Sequence, residues 1–114
     1  FEIKHLIKHG VSKSHIIKQH VSSISIDKLL RKYLFNQLDL LFIDTEGYDG
    51  EIVIDFLSKM NLRPIIIFEY IHINHEIFKK LLEKLMDKKF HFYKIDENIL
   101  CFPAEFGDCT RYLN

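Results

Sequence analysis

The chain has no tryptophan, and its 114 residues include only four glycines, two prolines and two cysteines. Turn and linker residues are so sparse that no stretch reads as a flexible connector, and the length fits one domain. Cys101 and Cys109 do not form a C-x-x-C metal pair. A secreted chain of this size often carries more cysteines, so two reduced thiols are expected. Charge of one sign is also lacking: 16 basic side chains balance 16 acidic ones. No broad field therefore points to nucleic acid or an anionic membrane as partner. No apolar run reaches the roughly 20 residues of a membrane span. No signal peptide is visible at the start, which leaves the cytoplasm as the default expectation. The glycines Gly10, Gly47, Gly50 and Gly107 build no G-x-G-x-x-G loop of the kind that cradles a nucleotide-type cofactor.

What is present is an alternation of apolar patterns. The opening, Phe1 to Gln19, has room for a short helix before Gly10. Val21 to Ile26 is β-compatible, and Ser25 can cap a helix from Asp27 to about Leu34. A strand is predicted near 39–43, where the nearly continuous run through Leu40, Leu41, Phe42 and Ile43 suits burial on both faces. Gly47 and Gly50 mark a turn. Ile52, Val53, Phe56, Leu57 and Met60 then recur at helical spacing, predicting a helix over 48–60. A second buried strand is predicted near 65–69, parallel and adjacent to the first, as in a βαβ unit. Asn74 can cap a helix from His75 to Lys88, with Phe78, Leu81, Leu82, Leu85 and Met86 buried and a Glu76–Lys80 pair outside. Phe90 to Ile95 and Ile99 to Phe102 read as an antiparallel hairpin. The fold class is thus α/β, with a mostly parallel sheet and an antiparallel C-terminal edge.

In open α/β sheets, ligands bind beyond the carboxyl ends of the strands. Asp44 and Glu46 lie just past the first apolar run and Glu69 ends the second. Three such acids could orient a cationic or hydroxylated ligand, hold a divalent metal, or act as a base. The plainer alternative makes Asp44 a helix cap and leaves Glu69 to solvent. No residue is assigned as a metal ligand. Gly47 supplies a turn conformation that a Cβ resists, Tyr48 is expected to pack, and His72 is a lesser candidate for a base near neutral pH.

Leu38 to Asp49, LDLLFIDTEGYD, resembles the segment near "LLKIDVEGYE" in FkbM-type methyltransferases. Val21 to Leu30, VSSISIDKLL, is similar to that family's "TLDxLL" stretch, and Arg63 to Tyr70, RPIIIFEY, to its "P-apolar-E" strand. His5-Leu6 with His9 is similar to an "HL..H" stretch in one branch. The resemblance implies the seven-stranded, Rossmann-like class I methyltransferase sheet. Residues 1–114 would be the C-terminal part of that single domain, supplying strands four to seven. The glycine-rich cofactor loop would lie ahead of Phe1. The activity implied is methyl transfer from S-adenosylmethionine to an oxygen of a sugar or related small molecule. Asp44 then ranks first as base or cofactor-side ligand, followed by Glu46 and Glu69. The 114-residue chain alone is expected to bind the cofactor weakly or not at all and to be inactive, and its apolar edge strand is expected to promote association.

Two other readings remain open. A non-catalytic α/β module would pack against a partner and leave the acids solvated. A two-metal nuclease could use the D-x-E of Asp44 and Glu46 with His91 and Asp96. Against the nuclease stand the predicted helix after the acids, the lack of a middle aspartate in suitable context, and the balanced charge.

Overall fold

A computed structural model describes residues 3–107. Cys109 falls outside the described residues. A short helix, α1 (Ile3–Lys8), precedes Gly10 as expected, and a 3-10 turn follows at Lys13–His15. Val21 to Ser25 forms no strand; the backbone is irregular until α2 (Ile26–Lys32) begins. Its β-compatible side chains find no neighbouring strand, and Val21 is 79% exposed. Ser25 precedes α2 with an extended backbone but does not cap it. Its hydroxyl donates instead to Asp27 Oδ1 at 2.6 Å.

The centre is the predicted βαβ unit. β1 (Leu40–Ile43) and β2 (Ile65–Glu69) are parallel neighbours, with Leu41 opposite Ile66 and Ile43 opposite Phe68. α3 (Asp49–Lys59) crosses between them and buries Val53, Phe56 and Leu57. α4 (His75–Asp87) follows. It is capped by Asn74, whose side chain accepts from the Ile77 amide at 2.9 Å, and the Glu76–Lys80 pair forms at 3.0 Å. Leu81 and Leu85 carry the burial; Met86, expected in the stripe, is 57% exposed.

The hairpin β3 (Phe90–Ile95) and β4 (Asn98–Pro103) closes a four-stranded sheet of order β1-β2-β4-β3. β4 is antiparallel to both β2 and β3, so three strands run one way and β4 alone is reversed. The reversed strand is therefore not at the edge, as expected, but between β2 and β3. Side chains explain the order. β4 has Ile99, Cys101 and Pro103 buried and Leu100 and Phe102 half-buried, whereas β3 exposes His91, Lys94 and Ile95, which suits an edge.

The core lies on one face of this sheet. Ile43, Ile66, Phe68, Ile99 and Cys101 meet Phe56, Leu57, Leu81 and Leu85 of the helices. Each large side chain so buried stabilises by roughly 1.5–3 kcal/mol relative to exposure. Burial also pushes the Cys101 thiol up to about 12, leaving it an inert packing group. The other face is open. Leu40 is 52% and Phe42 61% exposed, so β1 is not buried on both faces as its unbroken apolar run suggests. Among the described residues, nothing in the sheet pairs with the outer edge of β1.

At the amino end of β2, Arg63 binds the far side of the sheet together. Its guanidinium donates to both Glu105 oxygens, to the Lys88 carbonyl at 2.6 Å and to the Lys89 carbonyl at 3.1 Å. It also lies over the Phe90 ring, 4.8 Å from the centroid. Among the described residues, no helix is long and apolar enough to cross a membrane.

Candidate functional site at the carboxyl ends of the parallel strands

Because β1 and β2 are parallel and in register, both end on the same rim, and Asp44 and Glu69 are carried there. Each apolar run stops where charge can be hydrated. The chain then turns sharply: Glu46 has φ 55 and Gly47 φ 109, both left-handed, which costs a residue with a side chain and suits glycine. The turn is pinned from inside by Asp49, the first residue of α3 and fully buried. Asp49 Oδ2 accepts from the Thr45 hydroxyl at 2.7 Å, the Thr45 amide at 3.2 Å and the Gly47 amide at 3.3 Å. An anionic side chain also suits a helix N-terminus. Asp44 does not take the helix-cap role weighed for it: Tyr48 stands at the N-cap with no side-chain hydrogen bond, Asp49 ties down the turn, and Asp44 stays exposed.

Glycine lets two loops meet closely. A Cβ on Gly47 would lie 3.4 Å from the Cβ of His72. One on Gly50 would lie 2.8 Å from Ile77 Cγ2 and 3.0 Å from Ile73 Cγ2. The loop after β1 is therefore pressed against the loop after β2, which brings His72 to the acids. His72 Nε2 lies 3.8 Å from Glu46 Oε2 and 3.8 Å from Glu69 Oε2. One donor atom from each of Glu46, Glu69 and His72 falls within 4.8 Å of the others.

The electrostatics follow from that crowding. Burial, acting first, raises the Glu69 pKa, and the charges of Glu46, Asp44 and Asp49 add to the rise; the His72 imidazole works against it. Glu69 Oε2 is buried and accepts no hydrogen bond among the described residues. A carboxyl group whose charged form is disfavoured in this way, at the rim where ligands bind, marks a candidate functional position.

Of the acids predicted from sequence, Glu46 and Glu69 converge with His72, while Asp44 stands beside them and acts on Glu69 through its charge. Tyr48, expected to pack, is 65% exposed and borders a hollow of about 540 Å³ between residues 23–26 and α3. That hollow does not include the acids. Asp49 was missed as a structural acid; its signal was present in the spacing D-T-E-G-Y-D, where an acid opens the helix just after a left-handed turn. The nuclease geometry is not assembled. A helix follows Asp44 and Glu46, and His91 sits near the start of β3, at the rim opposite the acids.

These observations define a class: an α/β domain whose parallel strands present a rim of acids and an imidazole where such sheets bind ligands. The model of the methyltransferase FkbM domain matches residues 3–97, and the chain belongs to that family. Neither a curated protein nor a solved structure matches it.

Proposed function

We propose that the protein is an S-adenosylmethionine-dependent methyltransferase that methylates a hydroxyl oxygen of a sugar or related small molecule, with a class I methyltransferase sheet. The convergence of Glu46, Glu69 and His72 on one rim, with Asp44 beside them, carries this reading. Family membership supports methyl transfer in general. The parallel β1–β2 pair with a reversed C-terminal strand supports the class I sheet.

The residues of the rim fit the two ligands such a reaction brings together. S-adenosylmethionine supplies the methyl group from a positively charged sulfonium, and a rim rich in carboxylates favours a cation. Asp44 is the residue that would face the cofactor side. A hydroxyl acceptor needs a hydrogen-bond acceptor to fix its direction and a base to receive its proton. Asp44, exposed at the tip of β1, offers its carboxylate for that purpose. Glu69 and Glu46 hold the acceptor's remaining polar groups. Glu69 is half-buried, and burial together with the neighbouring acids raises its pKa, which sets it apart from the exposed Asp44 and Glu46.

Asp44→Asn keeps size and removes charge. In the catalytically active protein, turnover should fall roughly 100-fold or more, with the fold unchanged by circular dichroism. Glu69→Gln should cost less. Unchanged turnover in a folded Asp44→Asn protein would leave Asp44 as a solvated loop residue. The methyl-transfer reading would then rest on family membership and not on this acid.

A further inference from the structure

We infer that Glu46, Glu69 and His72 form a binding site for one divalent transition cation of the Mn²⁺ or Zn²⁺ kind. Three observations carry it. The first is donor geometry. The nitrogen of His72 is 3.8 Å from an oxygen of each glutamate, and all three atoms lie within 4.8 Å of one another. A cation placed roughly 2.2 Å from each donor touches all three with only small side-chain adjustment. The second is donor chemistry. Two carboxylates neutralise a double charge, and an imidazole nitrogen favours Mn²⁺ or Zn²⁺ over the all-oxygen preferences of Mg²⁺ and Ca²⁺.

The third is independent of the count of acids. Glu69 Oε2 is buried with no hydrogen bond among the described residues, although it faces the imidazole. A buried carboxylate oxygen without a donor is costly. A cation at this point supplies what Glu69 Oε2 lacks. The site is also held in shape before anything binds. Asp49 pins the Glu46 turn, and the close approach of Gly50 to Ile73 and Ile77 sets the start of α3 against the loop that carries His72. Asp44 remains outside the three donors, free to take a proton.

What the cation does rests on the methyl-transfer reading: it would hold the acceptor's hydroxyl oxygen beside Asp44 and lower its pKa, as bound metals do for water. Binding itself is tested without any methyl donor, so its failure leaves that reading standing. The metal-free chain is titrated with Zn²⁺ by calorimetry and with Mn²⁺ by electron paramagnetic resonance, with Mg²⁺ as comparison. One equivalent should bind, and Mg²⁺ should bind at least tenfold more weakly. Glu69→Gln, Glu46→Gln and His72→Gln should each weaken binding tenfold or more, the range seen when a metal site loses one of its supporting groups. His91→Gln, at the opposite rim, should leave it unchanged. Circular dichroism checks each fold, and any two folded site variants suffice. The inference is overturned if the unaltered chain binds no stoichiometric cation, or if folded site variants bind as tightly as it does.

Discussion

The two ends of β2 treat their acids in opposite ways. At the amino end, Glu105 receives the Arg63 guanidinium through both its oxygens, and its carboxyl is held down to about 2, chiefly by that hydrogen bonding. At the carboxyl end, Glu69 is half-buried among acids and its pKa is raised. The first acid is satisfied and joins the chain after β4 to the start of β2; the second is left with a buried oxygen that has no donor among the described residues. One strand thus separates an acid committed to structure from an acid kept available for a ligand. Charge alone does not tell them apart; the partners do.

Removing the scaffold that both ends share should have the largest effect. Phe68→Ala empties a fully buried position beside Glu69, and stability to urea should fall by about 3–5 kcal/mol. Phe42→Ala, on the open face of β1, should cost far less. Equal losses would mean that the open face is covered in solution.

Breaking the satisfied end comes next. Arg63→Gln should lower stability by roughly 1 kcal/mol, the worth of its contacts to two backbone carbonyls once solvent screening is allowed for. It should also change the acid limb of the stability profile. A carboxyl whose folded pKa lies near 2 instead of 4.5 stabilises the fold above the higher value and loses that contribution as pH falls toward the lower. Urea midpoints measured from pH 5 to pH 2 should therefore fall less steeply for Arg63→Gln. A parallel profile would show that the ion pair contributes nothing in solution.

The smallest effect belongs to Glu69→Gln, and its sign is reversed. A raised folded pKa means that the protonated form suits the fold. The contribution of Glu69 is complete below the ordinary carboxylate range and is lost as pH rises through its folded value. Replacing it by a neutral amide should leave stability at pH 7 equal or slightly greater. A clear loss of stability would show instead that the charged form is satisfied.

The strands, the crossing helix and the acids at the strand tips were legible because each depends on local pattern. Leu40 to Ile43 and Ile65 to Phe68 are apolar runs ending in turns, and Val53, Phe56 and Leu57 repeat at helical spacing. The open face was not legible, since an unbroken run reads the same whether one side or both are covered. Leu40 and Phe42 carry that ambiguity. The position of β4 inside the sheet depends on comparing burial across two strands, which neither strand shows alone. Arg63 and Glu105 are 42 residues apart with no shared period, so their pairing had no local signal. For the site, Glu46 and Glu69 could be read from position, but their meeting with His72 depends on how closely two loops approach. Asp49 gave its acid in the sequence and hid its burial.

The close contact at Gly50 also limits how this chain can drift under mutation. Its nearest neighbour would stand 2.8 Å from even a methyl group, so position 50 is nearly closed to substitution unless Ile77 changes with it. Gly47 is constrained by its left-handed backbone. Thr45, Glu46 and Tyr48 lie between and beside these fixed points, and Glu46 and Tyr48 point outward. Descendants of this sequence can therefore trial new side chains at the rim while the loop that displays them keeps its path. Novelty in ligand choice becomes cheap at two positions because it is forbidden at two others.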